Sequence, residues 1–174
     1  MTFVSGAALT AAQLNTHLRD NLMETAPAKA YNAGAYFVVS RPNGIVERLP
    51  KASRIATSQS TSSNEWTDLS TPGPTVTVTS GTQVLVFISA YMQNSGTNGL
   101  SKASFDVSGD TERDPWMSSE LRMDGLVAAN AVRYASCTLA QGLTSGGVNT
   151  FTMKYLVGSG TGTWQDRILI ALPL

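Results

Sequence analysis

One cysteine, Cys137, and one histidine, His17, are all the thiol and imidazole that 174 residues offer for metal binding or catalysis. A lone cysteine forms no internal disulfide and supplies too few ligands for a zinc site, which excludes a disulfide scaffold. Charge is equally scarce: 12 Lys+Arg balance 12 Asp+Glu, and charged residues make up 14% of the chain, against roughly 25% in an ordinary soluble domain. A chain without net charge has no broad attraction for nucleic acid or acidic membranes, so neither is expected as a partner. There is no apolar run of about 18 residues to cross a membrane, and the opening MTFVSGAALTAAQ lacks the basic and apolar regions of a secretory signal. The absence of any Asn-x-Ser/Thr acceptor agrees with a protein made and assembled in a cytoplasm.

What fills the surface instead is small and uncharged: 20 Thr, 19 Ser and 15 Gly, the composition of strands and turns. The length suits one domain of moderate size, or one smaller domain plus an appendage, and a core of that size holds without staples. The first element is a helix starting at Thr10. Thr10 caps it, Gln13 completes a capping box, Leu9 and Leu14 have the spacing of a hydrophobic staple, and Pro27 stops it after Met23 or Thr25. Leu14, Leu18 and Leu22 form one narrow apolar stripe flanked by Asn15, Thr16, His17, Arg19, Asp20 and Asn21. So short a helix does not stand alone. Burying each leucine is worth roughly 1.5–3 kcal/mol, so the stripe needs a surface, either this chain's own body or a partner's.

An alanine-rich connector leads to an expected hairpin, residues 36–40 and 45–49 around Arg41-Pro42-Asn43-Gly44. The Ser/Thr-rich stretch 51–64 reads as a linker or edge strand, and the domain boundary is placed at residue 55: a helix and hairpin region over 1–55, a β domain over 56–174. From there the period is two. Thr75 to Thr79 alternates cleanly, and Val84 to Ile88 is apolar on both faces, hence central. Further strand-length runs include Ala103, Phe105 and Val107, then residues 131–139, 151–157 and 167–172, with Phe151 and Tyr155 on a core face. Glycine-rich turns at 142, 146–147 and 158–162 separate them. The fold class is mainly β: an antiparallel β-sandwich of jelly-roll type, preceded by a short α-helix and a β-hairpin.

Catalytic chemistry is thin. A Ser-His-Asp or Cys-His arrangement would have to use His17, on the polar flank of the first helix. Asp106, Asp110, Glu112 and Asp114 form one acidic cluster, readable as a carboxylate pair for glycoside hydrolysis or as calcium ligands, but the spacing fits no EF-hand loop and Arg113 compensates locally. Gly158, Gly160 and Gly162 precede a strand, whereas a phosphate-binding loop opens a helix. Among the aromatics Trp66, Tyr91, Trp116, Tyr134, Tyr155 and Trp164, Trp116 stands in a loop beside Asp114 and Met117, a candidate contact loop. The expectation is a non-enzyme with no cofactor and no metal.

LTAAQLNTHLRDNL, residues 9–22, resembles the TA-x-x-LN-x-x-x-RDN segment near the start of many tailed-bacteriophage virion proteins. YFVVSRPNGIVERLP is similar to the hairpin that follows it in phage fibre and head-fibre proteins. The stretches DLSTPGPTVTVTSGTQVLVFISA, FDVSG and GLTSGGVNTFTMKYLVGSGTGTWQDRILIALPL resemble the β-rich displayed domain of such proteins. The resemblance implies a virion structural protein and a homotrimer, not a particular location on the virion; the make-up of one anchor plus one compact domain favours head fibre or capsid decoration over a tail fibre or minor tail protein. Residues Leu14, Asn15, Leu18, Arg19, Asp20, Asn21 and Leu22 would then dock on a major capsid, tail or connector protein. Two other classes stay open: a module binding host carbohydrate or receptor through loop aromatics, and a glycan-cleaving enzyme, which would need carboxylates across a groove.

Overall fold

The computed structural model describes residues 10–15, 22, 29–41, 44–124, 128 and 130–174. The chain separates into two compact units, Met1–Glu47 and Arg48–Leu174.

In the first unit, helix α1 (Ala11–Leu14) begins as the sequence requires. The Thr10 hydroxyl accepts the Gln13 backbone N–H at 3.2 Å, and the Gln13 side chain accepts the Thr10 N–H at 3.0 Å, closing the capping box. The staple residue Leu9, the stop at Pro27, and Leu18, Arg19, Asp20 and Asn21 of the docking stripe lie outside the described residues; Leu22 is 65% exposed. The hairpin is present as β1 (Tyr36–Arg41) and β2 (Gly44–Arg48). Glu47 collects the backbone N–H groups of Tyr31 and Asn32 at 3.1 and 2.6 Å, and the bond from Asn32 is the main cause holding its carboxyl below the usual value. Tyr31 and Val39 are exposed, leaving this unit apolar side chains at its surface.

The second unit is an antiparallel sandwich. One sheet has the order β5 (Thr75–Thr79), β10 (Val148–Val157), β7 (Ser101–Gly109), β8 (Leu121–Met123). The other has the order β3 (Lys51–Ile55), β11 (Gly162–Pro173), β6 (Gln83–Asn94), β9 (Val132–Gln141), with β4 (Gln59–Thr61) also paired to β11. Most successive strands change sheet, the jelly-roll manner of closing a β domain. The alternation in Thr75–Thr79 puts Val76 and Val78 inside; from β10, Phe151, Met153 and Tyr155 join Phe105 and Val107 of β7 in the core. Val84, Val86, Ile88, Ala90 and Met92 of β6 meet them from the opposite sheet with Trp164 and Leu169 of β11. Full burial of each large aliphatic or aromatic side chain stabilises the fold by roughly 1.5–3 kcal/mol.

Two stretches differ from the expected boundaries. Lys51–Ile55, placed ahead of the boundary at 55 on composition, is a strand of the sandwich, its residues paired with Arg167 to Ala171. An edge strand needs few apolar residues of its own, because its partner supplies the packing. β11 begins at Gly162, before the expected Arg167, since the strand is interrupted at a bulge: Gln165 faces Tyr91 and Ile168 faces Ser89.

Arg167 follows from that bulge and points inward, fully buried. Its guanidinium donates to Gln59 Oε1 at 2.9 Å and, more weakly, to the Tyr155 hydroxyl at 3.4 Å, tying the β4 segment to the core. Burial pushes the Tyr155 phenol up to about 12, with Arg167 opposing it. An unfolded tyrosine titrates near 10, so the fold keeps this proton more tightly than the unfolded chain does. The resulting stability is complete below about pH 10 and is lost as pH rises towards 12, by roughly 2–3 kcal/mol. Denaturant midpoints measured from pH 9 to 12 are expected to fall less steeply for Tyr155→Phe than for the native chain; equal slopes would refute this assignment.

Candidate functional site

The two sheets turn different chemistries outward. On the β5–β10–β7–β8 sheet, Thr75 pairs with Thr152 and Thr77 with Thr150, their hydroxyls joined at 3.3 and 2.8 Å. Lys154 bridges Asp68 at 2.8 Å and Asp106 at 3.4 Å, and Lys102 meets Glu120 at 2.9 Å. Burial raises the Asp106 carboxyl above its usual value, with Lys154 pulling it back. This is a surface dressed for water.

The β3–β11–β6–β9 sheet is dressed otherwise. Alternation sends Leu85, Phe87, Ser89 and Tyr91 of β6 outward, and the register extends them into rows. Leu172, Leu85 and Leu139 lie side by side; the next row is Ala52, Ile170, Phe87 and Cys137; the next is Arg54, Ile168, Ser89 and Ala135. Phe87 is 37% and Leu139 40% exposed, and Cys137 is an exposed free thiol. A shallow depression of 330 Å³ opens here between Phe87, Ala135, Cys137, Ile168 and Ile170. Gln83 and Gln141 close the apolar rows at one end.

Charge closes them at the other end. The bulge holds Asp166 at φ 50°, a left-handed conformation uncommon for a residue with a side chain. Arg54 and Arg133 both donate to its carboxylate. The hydrogen bond from Arg54 is the largest influence and holds the Asp166 carboxyl below its usual value. Arg133 also donates to Ser89 Oγ at 2.8 Å and lies 4.5 Å over the half-exposed Tyr91 ring. A second depression, of 420 Å³, is lined by Arg54, Ala56, Tyr91, Ala131, Gln165 and Asp166.

The candidate contact loop is split. Asp114 and Met117 are exposed, whereas Trp116 is half-buried and meets Phe105 edge-on at 4.9 Å. The acidic cluster disperses: Asp106 faces Lys154, Asp110 accepts the Val148 N–H at 2.8 Å, and Glu112 and Asp114 are exposed. Arg113, read as compensating that cluster, instead donates to the Gly142 carbonyl at 3.1 Å. Among the described residues, no group of three His, Cys, Asp or Glu is placed to hold a metal ion. Trp164 is fully buried and packs on Tyr155 at 5.1 Å. Sequence reasoning missed the assembly of Arg54, Arg133 and Asp166, and the signal that could have found the apolar face was the doubly apolar run in β6.

No protein-family model and no curated protein matches this chain. Among solved structures it is similar to the Eiger TNF of S. frugiperda, at a TM-score of 0.48 and 10% identity over 71% of this chain and 91% of that one. It is also similar to the infectious bursal disease virus VP2 subviral particle protein, at a TM-score of 0.47 and 9% identity, covering 78% of this chain and 37% of that one. A carbohydrate esterase from Cellvibrio japonicus matches at a TM-score of 0.28 and 15% identity over 72% of this chain and 35% of that one. Identities this low leave function to be read from the chain's own residues.

Proposed function

We propose that this chain is a non-enzymatic structural protein of a tailed-bacteriophage virion, assembled in the host cytoplasm and carried on the particle as a homotrimer. The first unit docks on a major capsid, tail or connector protein, and the sandwich is the displayed knob. Head fibre or capsid decoration is the favoured place on the particle; a tail fibre or minor tail protein is the next reading.

The observation that carries this reading is the contrast between the two outer sheet faces, one of paired hydroxyls and ion pairs, the other of leucine, isoleucine and phenylalanine. Such a molecule is built to be partly covered, as an assembling subunit is. The particle itself is supplied by the resemblance of residues 9–22 to virion docking segments. Deleting residues 1–25 is expected to abolish incorporation into particles while the β-type circular dichroism of the sandwich persists. Particles that still take up the shortened chain would refute the docking role.

A second reading has one observation in its favour. Tyr91 and Arg133 stack beside an open depression, an aromatic and a cation of the kind that hold a sugar ring and its hydroxyls. Saturable binding of a host glycan, lost in Tyr91→Ala, would support a receptor-binding knob.

A further inference from the structure

We infer that the outer face of the β3–β11–β6–β9 sheet is the contact between copies of this chain. Leu85, Phe87, Leu139, Ile170 and Leu172 form its dry centre, and the Arg54–Asp166–Arg133 cluster lies on its rim. The inference rests on the reading of the chain as an assembling subunit and names the surface that assembles.

Size comes first. Three strands about 4.8 Å apart from Gln83 to Gln93 at about 3.3 Å per residue, with the five residues of β3 beside them, give a face of roughly 550 Å², about two thirds of the ~800 Å² that each partner buries in a stable protein interface. Anatomy comes next. The apolar rows are bracketed by Gln83 and Gln141 at one end and by Tyr91, Arg133, Arg54 and Asp166 at the other, an apolar core within a polar rim.

Charge selects the occupant. The three apolar rows hold no carboxylate, and Arg54 at their edge is already engaged by Asp166. A strongly acidic or basic partner would therefore gain little from this surface. The rim carries both signs, and Asp166 offsets one of its two guanidinium charges, so the rim of a second copy faces a reduced positive charge rather than two bare guanidiniums. Copies related by an axis running along the strands set apolar rows against apolar rows and keep each rim at the same end. That is the closed cyclic symmetry most homo-oligomers adopt.

Cys137 reports on this face directly, being the only thiol in the chain and seated in the Phe87 row. The test is made on the full chain, by light scattering, circular dichroism and the rate at which an aromatic disulfide reagent labels Cys137. The native chain is expected to have a mass close to three times 18.4 kDa and a Cys137 that reacts several-fold more slowly than in Phe87→Arg. Phe87→Arg should be a β-folded monomer. Leu139→Gln, on the edge strand β9, gives the same reading if the arginine variant does not fold. An oligomer whose mass survives both substitutions and whose Cys137 reacts freely would overturn the face assignment, placing the contact elsewhere while leaving self-association standing. A native monomer would overturn both, and the docking role of the first unit would still be judged by particle incorporation.

Discussion

Replacing Phe105 by alanine is expected to cost about 3–5 kcal/mol, the range for deleting a buried aromatic and leaving a cavity that its neighbours only partly fill. Phe105 is fully buried, 5.7 Å from the ring of Phe151 and 4.9 Å from that of Trp116. The first contact lies between adjacent strands, since Phe105 and Phe151 belong to β7 and β10; the second fastens the 113–117 loop to the end of the core. Both are lost together, so the denaturant midpoint should fall sharply and Trp116 should become more accessible to a fluorescence quencher. A midpoint within experimental error of the native chain would mean that the sandwich core is not packed as described.

The second large effect is expected at Asn94, a buried polar residue at the end of β6. Its amide donates to Ser101 Oγ at 2.8 Å and to the Ser159 carbonyl at 2.9 Å, while its oxygen accepts the Gly96 N–H at 2.8 Å. One side chain thereby holds the 95–100 loop and the 158–162 turn. Asn94→Leu strips the partners from three groups, of which the Ser101 hydroxyl is buried; leaving that one unpaired costs roughly 1–3 kcal/mol, and the two partly buried backbone groups, which water can reach, add less. The glycines around it are part of the same device. A Cβ on Gly99 or Gly160 would stand 2.1 or 2.4 Å from Asn94 Oδ1, and Gly160 also needs φ +79°. Gly160→Ala should therefore be destabilising even beside an intact Asn94, as thermal melts of the single and double variants would show; a melt equal to that of the native chain would contradict this.

How far the sequence carried the fold depends on where each strand finds its apolar partners. Thr75–Thr79 and Val84–Ile88 were legible because alternation and turn residues are local properties, and the capping box of Thr10 and Gln13 was legible for the same reason. The three-residue β8 was not, and the polar edge strands β3 and β4 were legible only as a stretch open between linker and edge strand, because their places are set by β7 and β11 rather than by their own composition. β6 is central in its sheet, as its doubly apolar run suggested. Its second apolar face, however, looks outward from this chain, and periodicity alone does not tell an apolar row covered by the same chain from one covered by another. The charged cluster was out of reach for a different reason. Asp166 meets residues 112 and 33 positions away, brought to it by pairing across β3, β11, β6 and β9.

These features support a division of roles within the molecule. Long-range strand pairing gives a sandwich held by a dense core, with chemistry on its polar sheet already committed to internal pairs such as Lys154 with Asp68 and Asp106. The opposite sheet retains an apolar surface whose burial still has free energy to contribute, and in the proposed function docking falls to the first unit.

The mass of the full chain in solution tests the central claim most directly. Light scattering at micromolar concentration is expected to give close to three times 18.4 kDa. A mass of 18.4 kDa that stays constant as the concentration is raised would contradict the account, because a chain that leaves this sheet face uncovered is not the assembling subunit proposed.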